Sequence, residues 1–155
     1  ARLPFLGAEL TLQVRAANRL SISLRGDQLI VATPELSEEV LREGLEVWYR
    51  AQARSRLWER LFELGGPHDL LPTGISIRAQ RTRWGSCSSS GRINLNWRLM
   101  LLPMRLIDYV LTHELCHLSH MNHGPAFWHL VRQLMPDFEQ REHEVNRIRG
   151  AELPL

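Results

Sequence analysis

A chain of 155 residues with 44% hydrophobic residues carries enough apolar surface for one core, and a net charge of only +2 excludes a wholly polybasic nucleic-acid binder. No apolar run is long enough to span a bilayer, because stretches such as Leu99 to Leu102 are soon broken by Pro, Arg or His; the chain reads as one soluble, cytoplasmic domain over residues 1–155 with no membrane partner. Cys87 and Cys116 stand outside any cysteine-rich pattern and fit reduced thiols, and all 19 basic residues are arginine, which leaves nucleic-acid association through a local patch open without marking any single arginine as a phosphate ligand.

Near the start, Glu9 to Arg15 and Arg19 to Arg25 alternate apolar with polar residues, and Gly26-Asp27 leads into Gln28 to Thr33. This pattern predicts a small antiparallel meander. Thr33-Pro34 and Ser37 then signal a helix start, and Val40, Leu41, Leu45, Val47, Trp48, Leu57, Trp58 and Leu61 recur at mixed three and four spacings up to a Gly65-Gly66 stop, which predicts one long helix with a kink placed near Gly44. Ile75 to Gln80 and Arg92 to Trp97 read as strands of a hairpin connected by the Gly- and Ser-rich segment Gly85 to Gly91. Pro103 sits at the first turn of a helix running to about His120, and Pro125 and Asp137 begin two more, the last with Asp137 and Gln140 at capping-box spacing. Strands, helix, strands, helices is an α+β order.

The stretch His113-Glu114-Leu115-Cys116-His117 falls inside the helix that follows Pro103. Residues four apart project from one helix face, so both imidazoles can reach a single metal, while Glu114 lies beside the first ligand, able to take a proton from a metal-activated water without coordinating. The plainer reading is two surface histidines on an ordinary helix. Against it, Leu106 and Val110 extend the same stripe and Ile107, Leu111, Leu115 and Leu118 form an adjoining apolar face; such a helix is buried, and buried histidines need partners.

A catalytic zinc takes a third protein ligand and keeps a further position for water. In a regular helix His120 would lie about 10 Å along the axis from His113, too far for bonds of roughly 2 Å to one ion. His123 follows Met121-Asn122, where Asn can end a helix and turn the chain back. A carboxylate from Glu139, Glu142 or Glu144 is the alternative third ligand.

Arg83-Trp84-Gly85-Ser86-Cys87, Asn94-Leu95-Asn96-Trp97-Arg98-Leu99, Asp108-Tyr109-Val110, His113-Glu114-Leu115-Cys116-His117 and His123-Gly124-Pro125-Ala126-Phe127-Trp128 together resemble the successive blocks of the YgjP-like metal-dependent hydrolases and, more distantly, SprT-like and WLM zinc proteases. The resemblance is dense over the second half of the chain and loose over the first. It implies a zincin-like domain with one zinc ion held by His113, His117 and His123, and Glu114 as the catalytic residue. It leaves two chemistries, since members are called peptidases by motif while a nucleoside-triphosphate pyrophosphatase activity of UTP type is also associated with the family. His120 stands where metzincins have glycine, and no Met-turn string or zinc-ribbon cysteine set follows.

Arg78, Arg81, Arg83, Arg92, Arg98 and Arg105 form a run with no acidic residue before Asp108, a positive wall that would suit phosphates, against the reading of a solvated hairpin. Trp84 to Cys87 is either a substrate lip or an aromatic-pinned turn. Cys116 points away from the metal face, and Trp97, Phe127 and Trp128 serve to pack helices. His129 and His143 have no catalytic role in this reading. The expected function is a zinc metallopeptidase with a peptide or protein substrate lying along Arg92 to Trp97 as a sheet edge; the alternatives are triphosphate hydrolysis and a non-catalytic zinc domain, and the base Glu114 speaks against the last.

Overall fold

A computed structural model of the chain describes residues 1–149 and Leu153. The architecture is α+β, as the element order implied: four strands, a long helix, three strands and three helices. β1 (Arg2–Phe5), β2 (Ala8–Ala16), β3 (Ser21–Arg25) and β4 (Gln28–Thr33) form one sheet; β5 (Gly74–Arg78), β6 (Gly85–Cys87) and β7 (Arg92–Asn96) form the other.

The expected antiparallel meander is corrected. The order is β1-β2-β4-β3, with β4 parallel to β2 and antiparallel to β3. The reason is burial: Leu29 and Val31 of β4 are fully enclosed, whereas β3 alternates half-buried and exposed positions, so the more apolar strand takes the middle and β3 the edge. An additional strand, β1, pairs with β2 through a two-residue turn in which Leu6 and Gly7 both have positive φ, 52° and 88°.

α1 (Glu38–Gly65) starts where the sequence placed it, with the Ser37 Oγ accepting from the Val40 N–H at 3.0 Å and Glu38 and Glu39 in the first turn. Its inner face runs through Leu45, Tyr49, Ala53, Leu57 and Leu61 in steps of four, onto both sheets.

The expected hairpin between β5 and β7 is corrected as well. β5 lies parallel to β7, and the hairpin partner of β7 is β6, a strand formed by the very segment taken as connection. Ile93 and Leu95 of β7 are fully buried, and a strand so apolar is covered on both edges. Consequently Arg92 to Asn96 is the central strand of this sheet, and the edge nearest His113, His117 and His123 is β6.

α2 (Met104–Cys116) follows Pro103, an extended residue with φ −61° and ψ 148° that precedes the helix instead of entering its first turn. It does not continue to His120. His117, Leu118 and Ser119 donate to Glu114, Leu115 and Cys116, bonds to the third residue back that tighten the chain into turns. α3 (Pro125–Leu134) and α4 (Phe138–Arg149) complete the chain's described elements. Arg60 of α1 forks onto Asp108 of α2, Nε to Oδ1 at 2.9 Å and Nη2 to Oδ2 at 2.8 Å, which sets the height of α2 against the long helix. No described helix is long and apolar enough to cross a membrane.

Candidate metal centre

The register of α2 puts His113 and His117 one turn apart, and the turn that follows brings His123 over them. The Nε2 atoms converge: His117 to His123 is 3.0 Å and His123 to His113 is 3.2 Å. Four ligands around an ion with metal–nitrogen bonds of about 2.0–2.1 Å stand roughly 3.3 Å apart, so this spacing suits a small tetrahedral cation. The donor set is all imidazole, a chemistry that fits zinc among the transition metals. Neither His120 nor any carboxylate of α4 joins this cluster.

The outer nitrogens are engaged too. His117 Nδ1 lies 3.0 Å from the His120 carbonyl, an acceptor only, so Nδ1 carries the proton and Nε2 presents its lone pair. Burial holds His117 below the usual imidazole range, the His120 carbonyl working against that shift and His123 with it. His113 Nδ1 lies 3.5 Å from the Tyr109 hydroxyl, which donates to Glu142 Oε2 at 2.8 Å.

Glu114 is 5% exposed and faces β6. Desolvation pushes its carboxyl up to about 8, with the Arg83 guanidinium pulling the other way. The β6 strand comes so close that a Cβ on Gly85 would stand 3.2 Å from Glu114 Cγ and 3.2 Å from the Asn94 carbonyl. Glycine is what lets the strand lie on the helix here. Cys87 stays a thiol, pushed up to about 11 by burial and by Glu114, and Cys116, inside the core, is pushed up to about 12 by burial; both are free.

Phe127 and Trp128 do more than pack helices. Phe127, fully buried, stacks on His117 with centroids 4.4 Å apart and meets His113 and His123 edge-on at 5.0 and 4.9 Å. Trp128 stacks on His123 at 5.9 Å. Asn96 was also missed: its side-chain amide donates to the Gln80 and Arg83 carbonyls while its Oδ1 accepts from the Arg98 N–H, pinning the loop that delivers Arg83 and Trp84 to the site. Asn96 lies in one of the strings that carry the family resemblance, but nothing local to that string tells its role.

The arginine run disperses. Arg92 donates to Ser76 and the Ile75 carbonyl, Arg98 is buried over Trp97 and donates to Ala79, and Arg105 pairs with Glu144. Of the run, Arg83 lines the cleft at the histidines, together with Ser86, Cys87 and Met121. A second cleft, sharing Gly85, His113, Glu114 and His123 with the first, opens toward Trp128 and α4.

The profile of a family described as "YgjP-like, metallopeptidase domain" matches residues 1–148. No curated protein matches the chain. Among solved structures it is similar to the metallopeptidase zymogen abylysin of Pyrococcus abyssi, at 22% identity over 64% of this chain and 97% of that one, with a TM-score of 0.51, a likeness of fold. Also similar are the metallopeptidase zymogen jannalysin of Methanocaldococcus jannaschii, at 20% identity over 56% and 90% with a TM-score of 0.49, and Wss1 of Saccharomyces cerevisiae, at 16% over 93% and 99% with a TM-score of 0.44.

Proposed function

The chain belongs to the YgjP-like metallopeptidase domain family, and from that premise we propose that it is a zinc-dependent peptidase in which His113, His117 and His123 hold the ion and Glu114 carries the proton. The observation that carries this reading is the convergence of three imidazoles beside a buried carboxyl that stands outside their cluster. A closed structural site would have no use for such a group.

Zinc, when bound, supplies an acidified water and polarises a carbonyl. Glu114 takes the proton from the attacking water on a carboxylate oxygen and passes it to the leaving amide nitrogen. Burial by itself favours the protonated carboxyl, and a cation held by the three histidines beside it would favour the carboxylate that takes up the proton. His117 and His113 are held in the ligating orientation by the His120 carbonyl and the Tyr109 hydroxyl.

An extended peptide has an edge to lie on. In the β6–β7 pair, Asn96 N–H donates to Trp84 and Ser88 N–H to Arg92, so the backbone groups of Trp84, Ser86 and Ser88 face β7 while those of Gly85 and Cys87 point away from it. Those outward groups form the rail on which a peptide adds as a strand, with its scissile carbonyl over the histidines. Triphosphate hydrolysis finds less support, because several positive groups would have to face the ion and Arg92, Arg98 and Arg105 of the run are engaged elsewhere.

The test is a hydrolysis screen of the zinc-loaded protein against diverse peptides and nucleoside triphosphates. Peptide cleavage is expected, with Glu114→Gln keeping its zinc and losing about a hundred- to ten-thousand-fold in turnover. A metal-replete Glu114→Gln protein with near-normal turnover, or Glu114-dependent triphosphate cleavage with no peptide cut, would overturn the reading.

A further inference from the structure

The two clefts that share Gly85, His113, Glu114 and His123 differ in charge. One, of about 300 Å³, has Arg83 in its wall. The other, of about 380 Å³, is walled by Trp84, Tyr109, Trp128 and Val145, with Glu142 and Asn146 as its polar groups.

Glu142 stands apart from the acids around it. Asp137 pairs with Arg141, Glu139 with Arg132 and Glu144 with Arg105. Glu142 has no ion pair among the described residues; its partner is the neutral Tyr109 hydroxyl, donating to Oε2. A half-buried carboxylate that accepts from a neutral donor on Oε2 has its second oxygen left for an incoming cation. The flanking aromatic rings suit the aliphatic stem of such a group and attract its charged end.

Resting on the peptidase reading, we propose that this cleft selects substrates with a lysine or arginine side chain beside the scissile bond, Glu142 being the residue that determines the preference. Arg83 lines the other cleft and disfavours a cation there, so the two charges orient the substrate chain at the histidines. The shared walls place the selected side chain within one cleft's length of His113 and His123.

The test ranks binding of the zinc-loaded protein to hydroxamates of lysine, arginine, leucine and glutamate by calorimetry, alongside cleavage of a peptide library. The lysine and arginine compounds are expected to bind about tenfold or more tightly than the other two, as for one partly buried charge-assisted contact. Glu142→Gln, whose carbonyl still accepts from Tyr109, brings the four to parity at unchanged zinc content. Parity or a leucine preference in the unmodified protein overturns the proposal, as does a basic preference that survives Glu142→Gln. A basic ranking without any peptide cleavage overturns the peptidase reading alone; cleavage with an indifferent ranking overturns the cleft assignment alone.

Discussion

At His113 the nitrogen turned away from the other two imidazoles faces the Tyr109 oxygen at 3.5 Å, and the direction of that contact follows from the next one. The Tyr109 hydroxyl donates to Glu142 Oε2, so its proton is spent there and its oxygen is left to accept from His113 Nδ1–H. That fixes the tautomer with a lone pair on Nε2. Removing the hydroxyl in Tyr109→Phe should therefore weaken zinc binding, by about tenfold, the lower end of what loss of an outer partner costs, because the contact is long. Competition against a chromophoric chelator measures it. An unchanged affinity would show that Phe127 and Trp128, which pack around the same ring, are sufficient to orient it.

At the scale of elements, a glycine pair shows how one residue type does two jobs. Gly65 ends α1 with φ −92°, and a Cβ there would stand 2.0 Å from the Leu70 carbonyl and 3.0 Å from Leu115 on α2. Gly66 has helical angles, φ −54° and ψ −45°, and nothing within 4 Å of a built Cβ. Gly65→Ala should destabilise by about 1–3 kcal/mol, as overpacking does, whereas Gly66→Ala should be neutral or stabilising by up to about 1 kcal/mol through the unfolded chain. Urea midpoints of the two variants check this; equal effects would mean that α1 shifts freely against α2. The sequence marks the stop correctly but not its cause, since neither glycine is left-handed and that conformation passes to Asp69, φ 57°. The same limit applied to the sheets. Alternation identifies β2, β3, β4 and β7, yet their order depends on which strand buries most, and β6 is too short and too rich in Gly and Ser to carry a period. Within the site, His113, Glu114 and His117 are legible because helix spacing is local. Tyr109–Glu142, Asn96 and the ring stack of Phe127 are contacts across elements and have no local signature.

For the whole molecule, the three histidines come from two places: His113 and His117 at the end of α2, and His123 from the segment that enters α3. A shared ion would clamp that entry onto the helix, while the first sheet, centred on the buried Leu29 and Val31, is built without it. Anything that binds only the folded chain raises its stability, by about 2.7 kcal/mol at a ligand concentration a hundredfold above its dissociation constant. Chelation is therefore expected to lower the unfolding midpoint and to speed amide exchange first over residues 117–128, leaving β4 as protected as before. His123→Ala should behave like the chelated protein with or without zinc. His120→Ala should retain the zinc-dependent rise, because His120 contributes its backbone carbonyl to His117 and its imidazole does not join the cluster. Calorimetric scans of the two variants with and without zinc separate the cases, and a rise that survives loss of His123 but not of His120 would exchange their roles.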